Sequence, residues 1–392
     1  YALSGMTTGE SNMAIGNSAM GSNISTAGGY NTVVGHYANQ TGPSSGANNT
    51  YLGYGVGRFY PTGSTNTAIG TNALEGISGQ AASVGSKVVI GWRSLYRTPN
   101  SNYNTVVGSS AMMAHKRGNY ITAVGDSVMQ STVSASNAVA IGGYAGQYVG
   151  HSKEASYTTM VGDLAGRYAS GSSNTFMGYQ SGRGGTTSAP YSSGTKNVAI
   201  GYQALTAFTT GDSNVAIGYA TGDSITSGAR NVAVGHSALR DLNAGADGNN
   251  TAVGYNSLRD NNGSNNDSTA VGFSALQNVV QSGNTALGAY AGTSLTSGWN
   301  NVFIGKNAQP SANNGQNQTV LGYNVTGQAN NSVTLGNADV TAVYMAQDSG
   351  ATVHCGGLNI GGTAITSSAV SYTHLRAHET GRNLVCRLLL EK

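Results

Sequence analysis

The chain has 392 residues, of which only 8% are charged, and its formal net charge is +3. Lysine and arginine do not cluster along the sequence, which argues against nucleic acid as the main partner. No apolar run reaches the ~20 residues of a membrane-spanning helix, so the sequence predicts no segment inserted in a bilayer. The chain begins at Tyr1 without a methionine or a signal segment, and we therefore expect it to be a fragment.

A two-part phrase recurs nineteen times between Gly16 and Gly336. It reads Asn, Thr or Val, Ala, Ile or Val, Gly, two variable residues, then Ala-Leu or Ala-Gly, as in Asn197-Val-Ala-Ile-Gly201-Tyr-Gln-Ala-Leu205. Eight of the eighteen intervals between closing glycines are 17 residues long, and the others run from 14 to 23. A short period held this long predicts an all-β stacked array of about nineteen coils over residues 1–336, rather than a globular enzyme.

The first half of each phrase predicts a short β-strand. The residue before the closing glycine is aliphatic, and the residue two positions earlier is Thr or Val except at Met13, so both lie on one face. We expect this row to point inward and the intervening residue, usually Ala, to point to the other face. The glycine marks a bend that tolerates little side chain. The predicted structural positions include Ile69, Gly70, Ile200, Gly201, Ile217, Gly218, Val234 and Gly235.

The second half of the phrase predicts another short strand, centred on Ala-Leu, followed by a loop of variable length. Asn opens twelve of the nineteen copies. Asparagine favours turns, and stacked asparagine side chains form ladders. Length variation confined to the loops places insertions on one face of the stack.

About 17 residues with two short strands make a flat coil, which is expected to enclose little of its own, so a lone chain would leave one apolar strand row exposed. Burying the aliphatic rows around a threefold axis would give a homotrimer. The alternative is a monomeric β-helix built from hexapeptide turns. At ~4.8 Å per coil, nineteen coils make a rod about 90 Å long.

The position after the closing glycine carries an aromatic residue or His in ten copies: His36, Tyr54, Trp92, Tyr179, Tyr202, Tyr219, His236, Tyr255, Phe273 and Tyr323. We expect an in-register column, serving either as packing or as a sugar-stacking surface. The candidate receptor-contact residues in this column are Tyr179, Tyr202, Tyr219 and Tyr255. The loop 182–196, inside the longest interval, adds Arg183 and Tyr191, because loops on rigid scaffolds commonly carry recognition.

No enzymatic constellation is found, and the sequence predicts no catalytic, cofactor or metal site. The fifteen acidic residues never recur as a pair at a fixed repeat position. Gly53-Tyr-Gly-Val-Gly57 is interpreted as a repeat bend rather than a phosphate loop, since no Lys-Ser/Thr follows. His36 and His236 are interpreted as surface or stacked residues.

The wording Asn-Thr/Val-Ala-Ile-Gly-x-x-Ala resembles the YadA-like head repeat of trimeric autotransporter adhesins and the repeat shafts of bacteriophage tail fibres. The resemblance covers Gly16 to about Gly336 and implies a left-handed parallel β-roll. Residues 337–369, with Gly356-Gly-Leu-Asn-Ile-Gly-Gly-Thr-Ala-Ile-Thr366, look like the junction before an intramolecular chaperone that drives trimerisation in tail fibres. An autotransporter would instead continue into a heptad stalk, and no heptads are found.

The last 23 residues, 370–392, differ in composition from the preceding chain, which is rich in Gly, Ser, Thr and Asn. His374 and His378 stand at i,i+4 spacing, but we reject a metal site, because 370–380 and 384–391 resemble a translated sequencing adapter. Cys386 then belongs to the artefact, and Cys355 remains as a single thiol.

Together these observations predict a non-enzymatic, extracellular shaft of a phage tail fibre that positions or contacts a host surface glycan or protein. The alternatives are the head of a bacterial adhesin on the outer-membrane surface and a polysaccharide-cleaving tailspike.

Overall fold

The computed structural model describes residues 10–21, 28–40, 46–59, 63–78, 85–97, 101–151, 154–241, 248–260 and 266–345, and the backbone of 358–360 and 363–365. The chain divides into two compact units, Tyr1–Asn337 and Ala338–Lys392. The described part of the chain contains strands and turns but no helix.

In chain order the strands are β1 (Met13–Ile15), β2 (Thr32–Val34), β3 (Thr50–Leu52), β4 (Thr67–Ile69), β5 (Val88–Ile90), β6 (Thr105–Val107), β7 (Ile121–Val124), β8 (Ala135–Ser136), β9 (Ala138–Ile141), β10 (Ala155–Ser156), β11 (Thr159–Val161), β12 (Thr175–Met177), β13 (Val198–Ile200), β14 (Val215–Ile217), β15 (Val232–Val234), β16 (Thr251–Val253), β17 (Thr269–Val271), β18 (Thr285–Leu287), β19 (Val302–Ile304), β20 (Gln318–Leu321), β21 (Ser332–Leu335), β22 (Leu358–Ile360) and β23 (Thr363–Ile365).

Nineteen of the described strands form one sheet, in which each repeat strand pairs in parallel with the strand of the next copy. The register is constant: Ile200 lies opposite Ile217, and Ile217 lies opposite Val234. The short strands β8 and β10, which precede two of the repeat strands, pair with each other in a separate sheet. Each phrase therefore makes one coil, and the predicted all-β stack of about nineteen coils is confirmed.

The single chain buries one face of the repeat strand and leaves the other partly exposed. The middle residues Ala199 and Ala216 are fully buried, together with Leu205 of the following turn, whereas Ile217 and Leu287 are 36% and 50% exposed. The small alanine lets the strand and its own turn approach closely, so a core forms inside a single chain. The aliphatic row is partly exposed in the single chain, as expected for a chain without partners, whereas the expectation that a coil encloses little of its own is wrong.

The Ala-Leu element is a turn and not the predicted second strand. Every second residue of this element has positive φ, as at Asn72 and Leu74 and again at Gln203 and Leu205. The turn still joins the coils, because the backbone N–H of Leu205 donates to the carbonyl of Thr221 at 3.0 Å. Turns therefore stack in register as the strands do, and coil-to-coil hydrogen bonds extend beyond the three-residue strands.

The closing glycine is fixed by the stacking of the coils. Gly70 and Gly235 have φ of +128° and +132°. A Cβ atom on either would lie 2.5 Å from the carbonyl oxygen of the closing glycine in the next coil. Backbone conformation and close approach both exclude a side chain here, which explains the glycine in all nineteen copies.

The predicted asparagine ladder is present and buried. The backbone N–H of Asn214 donates to Oδ1 of Asn197 at 2.9 Å, and that of Asn231 donates to Oδ1 of Asn214 at 3.0 Å. The side-chain amide of Asn214 also donates to the carbonyl of Gly228 at 2.9 Å. Each amide thus connects neighbouring coils at the corner where the loop enters the strand, and it satisfies backbone groups that would otherwise be buried without partners.

In the second unit, β22 and β23 pair antiparallel, with Asn359 opposite Ala364. The predicted junction, 337–369, is described only at 337–345 and in these two strands. Cys355, His374, His378 and Cys386, with the whole of 370–392, lie outside the described residues.

Candidate functional site

Six of the ten predicted column residues form a continuous ladder on the surface of the solenoid, which we call the aromatic ladder. Its members are Tyr179, Tyr202, Tyr219, His236, Tyr255 and Phe273. Successive ring centroids are separated by 5.3, 5.0, 4.8, 5.0 and 5.1 Å, and the angles between ring planes run from 7° to 23°. These separations match the spacing of stacked strands, so the ladder follows directly from the constant register.

The ladder rings stack on one another and expose their edges. Tyr202 is 42% exposed and Tyr219 is 50% exposed, although Tyr202 has a near-parallel ring on either side. A pyranose stacks on the face of an aromatic ring, and the faces inside this ladder are occupied by neighbouring rings. The geometry therefore favours packing within the ladder, and the phenol hydroxyls form a polar row along its edge.

The other four members of the column lie apart from the ladder. His36 stacks on Tyr37 at 3.8 Å and meets Tyr54 edge-on at 5.5 Å. The guanidinium of Arg93 lies 4.6 Å from the ring centroid of Trp92, and the amino group of Lys306 lies 5.9 Å from the ring centroid of Tyr323. The prediction that His36 and His236 are surface or stacked residues is confirmed.

Tyr191, from the loop 182–196, belongs to a second aromatic cluster. Its ring centroid lies 4.5 Å from that of Tyr148 and 6.2 Å from that of Tyr168, and His151 meets it edge-on at 5.2 Å. Burial raises the pKa of Tyr191, and the neighbouring Tyr148 and Tyr168 raise it further. Sequence reasoning missed these partners, although Tyr148 and Tyr168 each stand six residues after a closing glycine and share a repeat position.

Arg183 begins the same loop but acts as part of the coil. Its backbone carbonyl accepts a hydrogen bond from the N–H of Tyr168 at 2.7 Å, and its own N–H donates to Gln180 at 3.2 Å. The end of the loop is also built into the stack, because Ser170 N–H donates to Ser192 at 2.7 Å and the Asn174 amide donates to Gly194 at 2.9 Å. Residues 186–191 are tied to the stack less tightly: the hydroxyl of Ser170 donates to the carbonyl of Tyr191 at 3.3 Å, and the same hydroxyl also reaches the carbonyl of Ser192 at 3.1 Å.

Two other kinds of feature, a metal site and a membrane-spanning helix, are absent from the described residues. No group of three or more His, Cys, Asp or Glu side chains is arranged to hold a metal ion within the described ranges. None of the described elements is a helix long and apolar enough to cross a membrane.

No known protein family matches this sequence. A comparison with curated proteins likewise finds no relative.

Proposed function

We propose that this chain is a non-enzymatic shaft segment of a homotrimeric fibre, of the kind found in bacteriophage tail fibres. The observation that carries the proposal is the row of partly exposed aliphatic side chains that runs along the sheet, including Leu52, Ile141, Ile217, Leu287 and Ile304. A continuous exposed apolar stripe of this length is unusual for a monomer and marks an interaction surface.

Burial of this row supports association of identical chains. Covering the exposed part of one aliphatic side chain contributes about 1 kcal/mol, and the row repeats at every coil. The partner surface needs the same ~4.8 Å spacing, which a second copy of the solenoid supplies. Because each strand of this sheet is only three or four residues long, the face is narrow, and three such faces can meet around one axis.

An extracellular fibre fits the remaining features. The chain is rich in Ser, Thr, Asn and Tyr and has only 8% charged residues. Three of the acidic residues form ion pairs with arginine: Asp223 and Asp241 with Arg240, at 3.6 and 4.0 Å, and Asp260 with Arg259 at 2.8 Å. The proposed partners are two further copies of the chain and a glycan or protein on the host surface.

Sedimentation of the chain without its last 23 residues tests the assembly. Residues 1–369 are produced with a cleavable trimerising domain, which is then removed. We expect an elongated trimer that persists after cleavage and resists mild denaturant. A stable compact monomer would contradict the proposal and favour a single-chain solenoid.

Contact with the host is tested at the loop 182–196. Replacing 186–191 by a short Gly/Ser connection removes Tyr191 and keeps Ser192 and Gly194 in the stack. Reduced attachment to host cells, with the trimer intact, would place recognition on this segment. Unchanged host range would leave the segment as a spacer.

A further inference from the structure

Three arginines and one glutamate lie together on consecutive coils near the start of the stack, and we call them the arginine cluster: Arg58, Glu75, Arg93 and Arg97. Backbone hydrogen bonds between coils bring them together. The N–H of Gly76 donates to the backbone carbonyl of Arg58 at 2.7 Å, and the N–H of Arg97 donates to the backbone carbonyl of Glu75 at 2.6 Å. In a chain with only 8% charged residues, this is a dense group.

The cluster carries more positive charge than its own carboxylate can balance. Burial raises the pKa of Glu75, and the guanidinium groups of Arg58, Arg97 and Arg93 act in the opposite direction. Three guanidinium groups facing one carboxylate leave a local charge of +2. By contrast, Arg259 is matched by Asp260 at 2.8 Å.

Aromatic rings hold the guanidinium groups in place. Arg58 lies 4.6 Å from the ring centroid of Phe59, Arg93 lies 4.6 Å from that of Trp92, and Arg97 lies 5.0 Å from that of Tyr96. A guanidinium stacked on a ring keeps its edge available for planar, bidentate contact with an oxyanion.

Hydrogen bonding within the chain does not use all of these donors. Nε of Arg58 and Nε of Arg93 are buried and have no hydrogen-bond partner, so contact with a ligand must come from the terminal nitrogens of these side chains. Trp92 is 48% exposed and adds apolar surface beside the charges. Fixed guanidinium groups, unbalanced charge and an exposed indole together make a surface suited to an anionic ligand.

We propose that the arginine cluster binds the carboxylate or phosphate groups of an anionic polysaccharide. The choice of a polysaccharide over a free anion rests on the proposed role at a cell surface. Nucleic acid fits less well, because it is bound by basic stripes that follow the phosphate backbone, and here the charge is confined to one place.

Binding of labelled polygalacturonate and polyphosphate to the trimeric protein tests the proposal, with neutral dextran as the reference ligand. The variant Arg58→Gln/Arg93→Gln/Arg97→Gln is expected to bind at least about tenfold more weakly, since charge-assisted hydrogen bonds are lost. The matched control, Arg230→Gln/Arg240→Gln/Arg259→Gln, removes the same charge elsewhere and is expected to bind as the wild type. Circular dichroism verifies that both variants are folded.

Glu75→Gln tests the proposal through an increase in affinity rather than a loss. Removing the competing carboxylate raises the local charge, so the affinity for both polyanions is expected to increase severalfold. Unchanged binding in the cluster variant, equal losses in both triple variants, or equally tight binding of duplex DNA would overturn the proposal. Sedimentation of the same samples separates the two proposals: a trimer that binds no polyanion contradicts only this inference, and a monomer contradicts the shaft.

Discussion

At the scale of single residues, the closing glycine is the least replaceable position in the repeat. Gly218 has φ of +138°, and an added Cβ would meet the carbonyl oxygen of Gly235 and, at 2.7 Å, the hydroxyl of Thr221. Neither backbone segment can move away without breaking its hydrogen bonds to the neighbouring coils. The strain therefore affects two coil interfaces and not one side chain.

Gly218→Ala is expected to lower the free energy of unfolding by about 2 kcal/mol or more, because Ala does not tolerate this φ and the contact cannot relax. Chemical denaturation followed by circular dichroism measures the change. Ser213→Ala, at an exposed position in the preceding loop, is the control and should change stability by less than about 0.5 kcal/mol. Similar losses at both positions would contradict the assignment.

Lys87 occupies the ladder position that asparagine fills in most coils. Its side chain is fully buried, and burial lowers its pKa to about 7. In the unfolded chain the pKa is near its ordinary value of 10.5. Between these two values the unfolded chain holds a proton that the folded chain lacks, so stability increases as pH rises through this window.

We therefore expect the unfolding free energy of the wild type to rise from pH 7 toward pH 10, by at most about 1.4 kcal/mol per pH unit. Lys87→Asn continues the ladder between Asn66 and Asn104 and should remove this rise while stabilising the protein at pH 7. Denaturation curves at pH 6, 8 and 10 compare the two proteins. The same slope in both would show that Lys87 does not cause the pH dependence.

At the scale of the coil, the middle residue of the strand and the last residue of the turn both fill the interior of the coil. Six coils combine a buried Ala in the strand with Leu or Met in the turn, as in Ala199 and Leu205. In the coil of β12 the strand carries Phe176, and a Cβ at Gly182 of the turn would overlap its ring. Tyr51 and Met160 are likewise combined with a glycine in the turn, Gly57 and Gly166, and a Cβ on either glycine would meet that side chain.

The double variant Phe176→Ala/Gly182→Leu tests this complementarity. Each single change is expected to destabilise the protein, Phe176→Ala by about 3–5 kcal/mol through a cavity and Gly182→Leu through a clash. Together they restore the common pair, so the double variant should be more stable than the sum of the single changes predicts. Additive losses, measured in the same denaturation assay, would show that the two sites are independent.

The aromatic ladder is expected to stabilise neighbouring coils. Tyr202→Ala/Tyr219→Ala removes three stacked pairs, each worth about 0.5–1.5 kcal/mol, and should lower the melting temperature without a separate loss of host binding. Tyr157→Ala, at a 70% exposed position, is the control. Weaker adhesion of a trimer with an unchanged melting temperature would instead favour the sugar-stacking role.

The repeat period predicts the strands, their register and the asparagine ladder, because each depends on residues that recur at fixed spacing. The turn could not be predicted in the same way. Leu74 and Leu205 adopt positive φ, which leucine avoids by itself, and they are held there by hydrogen bonds to the next coil. The arginine cluster was missed because its members are separated along the sequence and meet only when coils stack.

At the scale of the whole repeat unit, the exposed aliphatic row distinguishes a free chain from an assembled fibre. Ile217→Asp costs little in an isolated solenoid, where the side chain is 36% exposed, but it places an unpaired charge in a buried interface once chains associate, at a cost of several kcal/mol. We expect sedimentation to show dissociated chains for Ile217→Asp and an intact trimer for Ser213→Asp. Equal behaviour of the two variants would contradict an interface on this face.

The direction of the coil-to-coil hydrogen bonds has a mechanical consequence. These bonds run along the stacking axis, so tension applied to the ends of one solenoid loads its coil interfaces in series. Each interface then bears the full tension, and the weakest interface opens first. If flanking parts of a fibre transmit force through this segment, side-by-side association lets three chains share the load at every level, and a coil that opens in one chain is kept near its neighbours and can close again.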